Sequence, residues 1–393
     1  MIIENCCGCA ACANSCSNNA IIMKPNKYGF LYPYIYEDRC IDCGLCKKVC
    51  ESRNAISIHN SPLATYAAIN RDQRTLMSSS SGGMFSAIAS IVFGKNGVVF
   101  GCAFNKEMNA EHVYIESKNE LFRLQGSKYV QSSINKSLNE ARNFLEEGRT
   151  VLFTGTPCQI VGLKAYLGRE YSELITVDTI CHGVPSTIFF KDYIKYLEGR
   201  LKCHILDFQF RDKSKGWESY IGKIIYKKGR TVRVKYIPWF TSYYYSYFIQ
   251  GDILRDCCYE CKYASGQRVA DVTLGDYWGI KEIHPEISSS NGVSVVLVNS
   301  EKGLAVVKQL SREMVLKQSV FEKARKYNAQ LNYPPAKGQR RQKIFETWLE
   351  GGYQAVAKAH KDLYKAQIAV LNIKSFVPIS IKTLIKRIFG RVK

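Results

Sequence analysis

The stretch NCCGCAACANSC places five cysteines in the twelve positions 5–16. Thiolates at short, fixed spacing are metal ligands before they are anything else. Cys6, Cys9, Cys12 and Cys16 read C-x2-C-x2-C-x3-C, and the pattern returns in CIDCGLCKKVC as Cys40, Cys43, Cys46 and Cys50 at a constant offset of 34 residues. NNAII at 18–22 and RNAIS at 53–57 extend the echo, so this region is a short tandem repeat. Three thiolates two residues apart wrap one iron–sulfur cube, and the fourth, three residues on, reaches the other. The spacing assigns Cys6, Cys9, Cys12 and Cys50 to one 4Fe-4S cluster. Cys40, Cys43, Cys46 and Cys16 fall to a second.

Tetrahedral zinc is the rival, but it needs only four ligands. Eight cysteines in two copies of the bacterial ferredoxin spacing favour iron–sulfur. Residues 1–60 resemble a bacterial two-cluster ferredoxin. The proline usual after the last cysteine is Ser17 in one copy and Glu51 in the other. Cys7 is extra and reads as a spectator thiol.

A chain of 393 residues exceeds what one core usually fills, so more than one domain is expected. The start MIIENCCGC has no basic region followed by an apolar one, so no export signal is read. Sixteen cysteines in ligand-like spacing suit a reducing compartment, and a cytoplasmic location is expected. FSAIASIVFGKNGVVFGCAF is cut by Lys95, Asn96 and Gly97, so no spanning helix is expected. The net charge is +21, yet residues 1–51 carry five basic and five acidic side chains. The excess lies downstream and favours anionic partners. No nucleic-acid-binding signature accompanies it, so nucleic acid is not expected. The hairpin KIIYKKGRTVRVKY (223–236) reads as half-buried strands with a solvated basic face.

Beyond Pro62, LATYAAIN reads as a buried strand and SSSSGGMFSAIASIVFG as a turn entering a helix. GVVFGCAF and EHVYIES read as strands. TVLFTGTPCQIVGLKAYL and ELITVDTICHGVPSTIFFKDYIKYL each read as strand, turn and helix. DVTLGDYWGI and VSVVLVNSEKGLAVVKQL add strands and a helix. The expected fold is an α+β ferredoxin domain, then an α/β domain with a mixed sheet, then a basic helical C-terminal region.

Iron–sulfur clusters move single electrons, and a flavin is the usual converter to hydride chemistry. No G-x-G-x-x-G occurs, so the standard dinucleotide fingerprint is missing. SSSSGG at 78–83 opens a helix, where backbone N–H groups, hydroxyls and the helix dipole favour phosphate; a flexible loop is the competing reading. SSSSGGMFSAI, QGSKYVQS, GTPCQIVGL, CHGVPS, FRDKSKGW and CCYECKY…ADVTLGDYWG occur in this order. Together they resemble the coenzyme F420 hydrogenase/dehydrogenase beta-subunit family over about residues 62–300. The resemblance implies FAD, a further 4Fe-4S cluster, and electron transfer between clusters, flavin and a hydride carrier or reducible substrate.

It also implies site residues. Ser80, Ser81, Gly82 and Gly83 match the flavin-phosphate loop. Ser127 and Lys128 match a motif facing the flavin, where Lys128 neutralises pyrophosphate or steadies reduced flavin. Thr154, Gly155 and Thr156 lie at a strand-to-helix turn within reach of the cofactor. His182 is either a proton donor near the flavin or a hydrogen-bonded structural residue, and Asp276 and Trp278 read as a structural corner. Cys158, Cys181, Cys258 and Cys261 are the ligands of a third cluster, with Cys257 able to replace Cys258. Cys102 and Cys203 read as core. The implied domains are 1–61, a ferredoxin; 62–145, the family's N-terminal region; 146–320, its C-terminal region; and 321–393, a basic helical tail.

The expected function is an iron–sulfur flavoprotein oxidoreductase. FAD would exchange hydride with coenzyme F420 or with an unidentified anionic substrate, a polysaccharide-pathway compound among the options. The alternatives are an electron-carrier subunit that serves a redox partner protein, and a membrane-surface component of glycan assembly. For the last, PISIKTLIKRIFGRVK places Ile381, Leu384, Ile385, Ile388 and Val392 on one helical face among basic residues, so residues 376–393 suit an anionic membrane surface. Direction of electron flow and oligomeric state are not readable from the sequence.

Overall fold

The computed structural model describes residues 5–54 and 60–365. The amphipathic segment proposed for membrane contact, 376–393, lies outside the described residues.

The N-terminal repeat forms α1 (Ala11–Ser15), a hairpin of β1 (Ile21–Pro25) and β2 (Leu31–Ile35), and α2 (Leu45–Lys48). The strands pair antiparallel, Ile21 opposite Ile35. Asn26 makes the turn: its side chain accepts from Tyr28 N and Phe30 N, each at 3.0 Å. The repeat is visible in the backbone. Ala10 and Gly44, one offset apart, both cap their helices in the left-handed conformation.

The main body is an eight-stranded mixed sheet. Its first elements are β3 (Ala64–Asn70), α3 (Gln73–Ser78), α4 (Met84–Phe93), β4 (Val98–Phe104), β5 (Ala110–Ile115) and α5 (Ser137–Glu146). Next come β6 (Val151–Gly155), α6 (Pro157–Leu167), β7 (Leu174–Thr179) and α7 (Thr187–Leu201). A separate antiparallel sheet follows, from β8 (His204–Asp212), β9 (Ile221–Lys228) and β10 (Thr231–Pro238). Then come α8 (Tyr243–Ile249), β11 (Val272–Asp276), α9 (Ile280–Ile283), β12 (Ser294–Val298), α10 (Glu301–Lys308), β13 (Met314–Ser319), α11 (Phe321–Lys326) and α12 (Arg341–Leu363).

Strand order in the large sheet is β13-β3-β12-β11-β7-β6-β4-β5. β4, β6, β7 and β11 run parallel, and the flanking strands pair antiparallel. The parallel strands are largely buried, and β4 is apolar throughout. β3 sits between β12 and β13, so regions 62–145 and 146–320 build one sheet.

Capping fixes the helices next to that sheet. Thr156 and Gln159 form a reciprocal capping box at α6, with Pro157 in its first turn. Ser186 Oγ accepts from Phe189 N at 3.2 Å to start α7. A second core, rich in aromatic rings, packs α7, α8 and α12 over the three-stranded sheet; Phe189, Phe190, Tyr193, Tyr244 and Phe345 are at its centre. α12 is two helices joined at Gly352, whose φ is 63°.

Candidate functional site

A cavity of about 590 Å³ opens at the C-terminal ends of the parallel strands. That is where ligands sit on open α/β sheets, and the size suits a small-molecule site. Thr154, Gly155 and Thr156 enter it from β6, Cys181 and His182 from the end of β7, and Asp276 from β11. Ser80, Ser81 and Gly83 line it from the serine loop, and Ser127 and Lys128 line the wall beside that loop.

The loop is held from both sides. Ser80 Oγ accepts from Ser127 N at 2.7 Å and from Ser127 Oγ at 2.9 Å. Ser81 Oγ donates to Val293 O at 2.8 Å. Gly83 has φ +83° and caps α4, whose N-terminus therefore faces the cavity. Gly82 does a different job. A Cβ there would lie 2.0 Å from Ala68 O and 2.6 Å from Ser294 N, so Gly82 lets the loop lie flat on β3 and β12. It does not line the cavity. Beneath the loop, buried Lys213 donates through Nζ to the carbonyls of Leu76, Ser81 and Asn291.

Lys128 Nζ donates to Gln125 O at 2.7 Å and Arg123 O at 3.0 Å, and burial holds its pKa below the usual lysine value. The two carbonyls fix the position of the amine at the cavity wall, while burial works against its charge. His182 Nε2 lies 3.2 Å from Ile249 O and its ring meets Phe248 edge-on. Burial lowers its pKa, so the neutral imidazole faces the cavity.

The cysteines form three constellations. Cys16, Cys40, Cys43 and Cys46 line one small cavity at the outer end of the repeat. Cys6, Cys9, Cys12 and Cys50 gather at the inner end; burial, then Cys6 and Cys50, push the Cys12 thiol up to about 12. The third lies where the repeat meets the α/β body. The Cys158 thiol is held well above its usual value, first by its hydrogen bond with Cys7 and then by burial. Burial pushes Cys181 up to about 12, with Cys261 beside it. Cys257 is hydrogen-bonded with Cys258, and Cys258 packs against Gly183. The cysteines stand around each site without closing on a point: among the described residues, no three His, Cys, Asp or Glu side chains are placed to hold a single metal ion.

Two family descriptions match this arrangement. A 4Fe-4S dicluster domain matches residues 5–54, and the C terminus of the coenzyme F420 hydrogenase/dehydrogenase beta subunit matches residues 148–323. The chain thus joins a region similar to the C terminus of that beta subunit, over less than half of its length, to a dicluster domain at residues 5–54. It is an iron–sulfur electron-transfer protein of that oxidoreductase type. No curated protein matches it. Among solved structures, it is similar to a chain of the F420-reducing NiFe hydrogenase complex from Methanosarcina barkeri, studied by xenon derivatization. That likeness has a TM-score of 0.44 at 16% identity and covers 75% of this chain and 95% of the other, and it carries no argument about function.

The beta-subunit match contains Cys158, Cys181, Cys258 and Cys261, whereas the serine loop lies before it. The departure at Glu51 has a physical role in this chain. Glu51 is buried, pairs with Lys262 Nζ at 2.6 Å and accepts from Tyr263 Oη at 2.7 Å, which ties the repeat to the CCYECKY segment. Gly162 of GTPCQIVGL permits the other close approach. A Cβ there would lie 2.8 Å from that of Cys9, so α1 can rest on α6.

Several lining residues escaped the sequence reading. His112 is buried on β5, with Nε2 3.0 Å from Thr154 O and Nδ1 2.9 Å from Ser132 Oγ; burial lowers its pKa to about 4. Arg211 pairs with Asp276 at 2.6 Å and lies over the Tyr220 and Trp278 rings. Asp276 and Trp278, read as a corner, do stack and pair as one, yet both also line the cavity. Arg211 was within reach, since FRDKSKGW is among the family motifs. His112 sits in no motif. Tyr327, Asn328, Ala329 and Gln330 close one side of the cavity from the region read as a tail.

Proposed function

We propose that the cavity binds FAD and that Cys158, Cys181, Cys258 and Cys261 hold a third 4Fe-4S cluster against its wall. One observation carries this reading. Cys181 lines the cavity and also stands beside Cys261, so the cavity and the third cysteine constellation share a side chain. When bound, a flavin accepts hydride and releases electrons singly to one-electron acceptors.

The residues fit such a group. Ser80, Ser81, Gly83 and the α4 N-terminus offer hydroxyl and backbone donors to a pyrophosphate. Lys128 adds an amine held in place close by. Thr154, Gly155 and Thr156 present backbone at the β6–α6 turn. His182 is neutral and held at Ile249, where it can hold or pass a proton at the cavity wall. Arg211, Tyr220 and Trp278 form a flat, π-rich end suited to a planar ring. The hydride partner is read as an anionic carrier such as coenzyme F420, in keeping with the basic charge outside the repeat.

The test is equilibrium binding of FAD, FMN and coenzyme F420, each alone, to the full chain. FAD is expected to bind tightly at one per chain and survive gel filtration, with FMN weaker because it lacks the pyrophosphate. Absence of bound FAD would leave the electron-carrier reading in its place.

A further inference from the structure

Arg255 is fully buried. Its Nε donates to Cys6 O at 2.6 Å and its Nη1 to Gln131 Oε1 at 3.1 Å, while its guanidinium lies 4.1 Å from the centre of the Tyr32 ring. Nη2 is buried with no hydrogen-bond partner. Among the described residues no carboxylate forms an ion pair with it; Asp256, next in sequence, is taken by Arg341 and Lys337. A guanidinium cannot shed its proton, and a buried charge without a counter-ion is strongly unfavourable. An anion is therefore owed at this position. The groups facing Arg255 that can become anionic are Cys6, Cys7, Cys257 and Tyr32. Burial holds the Tyr32 hydroxyl above its ordinary value, which leaves the sulfurs.

We infer that Arg255 is the fixed counter-charge of the inner cluster, the one assigned to Cys6, Cys9, Cys12 and Cys50, and that it raises that cluster's reduction potential. The inference rests on the dicluster reading of residues 5–54. Cluster potentials follow net charge and hydrogen bonding around the sulfurs. A cation in a site closed to water favours the state carrying the extra electron. Arg255 also reaches the cluster loop through Cys6 O, and Gln131, which accepts from Arg255, donates to Cys7 O at 3.3 Å. The α/β body thereby sets the electrostatics of a cluster held wholly by the repeat. An electron entering at the outer, solvent-exposed cysteines would be drawn inward.

The test is a potentiometric titration followed by electron paramagnetic resonance, on the full chain reconstituted anaerobically. Arg255→Gln removes the charge; Arg255→Lys keeps it and loses the fork. One cluster midpoint is expected to fall in Arg255→Gln by about tenfold or more in the reduction equilibrium, about 59 mV for a one-electron couple. The remaining midpoints should hold, and Arg255→Lys should stay near the unmutated protein. Loss of iron in Arg255→Gln with retention in Arg255→Lys would also support a charge requirement. Unchanged midpoints in an iron-replete Arg255→Gln, or loss of iron from both variants, would overturn the inference. Failure of the unmutated chain to take up iron would instead remove the dicluster reading beneath it.

Discussion

Reconstituted anaerobically, the full chain is expected to carry about twelve irons, three clusters of four, and Cys158→Ser combined with Cys7→Ala about eight. The double variant is needed because of where Cys7 lies. It is hydrogen-bonded with Cys158, so it stands ready to replace a missing ligand. Cys7→Ala alone should leave about twelve irons, since the four assigned ligands remain. Cys158 itself is placed by α6, whose capping box and Pro157 fix the first turn. Serine in its place offers an oxygen that binds iron poorly at neutral pH. The check is colorimetric iron and sulfide on protein passed through gel filtration. Retention of about twelve irons by the double variant would exclude Cys158 as a ligand.

Gly83→Val is expected to weaken FAD binding by about tenfold or more while the chain stays folded. A branched residue forced into the left-handed region costs roughly 1–2 kcal/mol, and the added Cβ would lie 2.9 Å from that of Asn70. Relief of either strain moves the serine loop, and with it the backbone donors of α4. Each 1.4 kcal/mol is about a tenfold loss of affinity, so weakening of tenfold or more is expected. Gly82→Val should behave differently. Its Cβ would strike the backbone of β3 and β12, so the main consequence is a fall in thermal stability. Fluorescence titration with FAD beside thermal unfolding separates the two. Wild-type affinity in Gly83→Val would place the phosphate elsewhere.

The sequence carried the local features well. The cysteine spacing alone divides the outer and inner groups, because each helix cap at Ala10 and Gly44 repeats the same backbone geometry. The apolar runs at 64–70, 151–155 and 174–179 are strands, because a doubly covered sheet needs unbroken hydrophobic stretches. Long-range order was not legible. Nothing in LATYAAIN says that β3 inserts between β12 and β13, and that insertion is what presses Gly82 against Ala68 and turns Gly83 to the cavity. Glu51 read as a missing proline because its partners, Lys262 and Tyr263, are 211 and 212 residues away in the chain. His112 gave no signal, since a histidine in a strand pattern carries no spacing. Beside Cys9, Cys7 meets Cys158 and Arg255, and those two contacts come from distant parts of the chain that its spacing could not reveal.

The most direct measurement asks whether electrons entering at the outer cysteines reach the flavin only through the third constellation. A chemically reduced small ferredoxin, too large to enter the cavity, is mixed anaerobically with the FAD-loaded full chain, and the flavin absorbance is followed. The expected result is rapid bleaching in the unmutated protein. In Cys158→Ser combined with Cys7→Ala, with its other clusters intact, the flavin should stay oxidised while those clusters become reduced. Equal bleaching rates in the two proteins would contradict a relay at Cys158, Cys181, Cys258 and Cys261 beside the cavity.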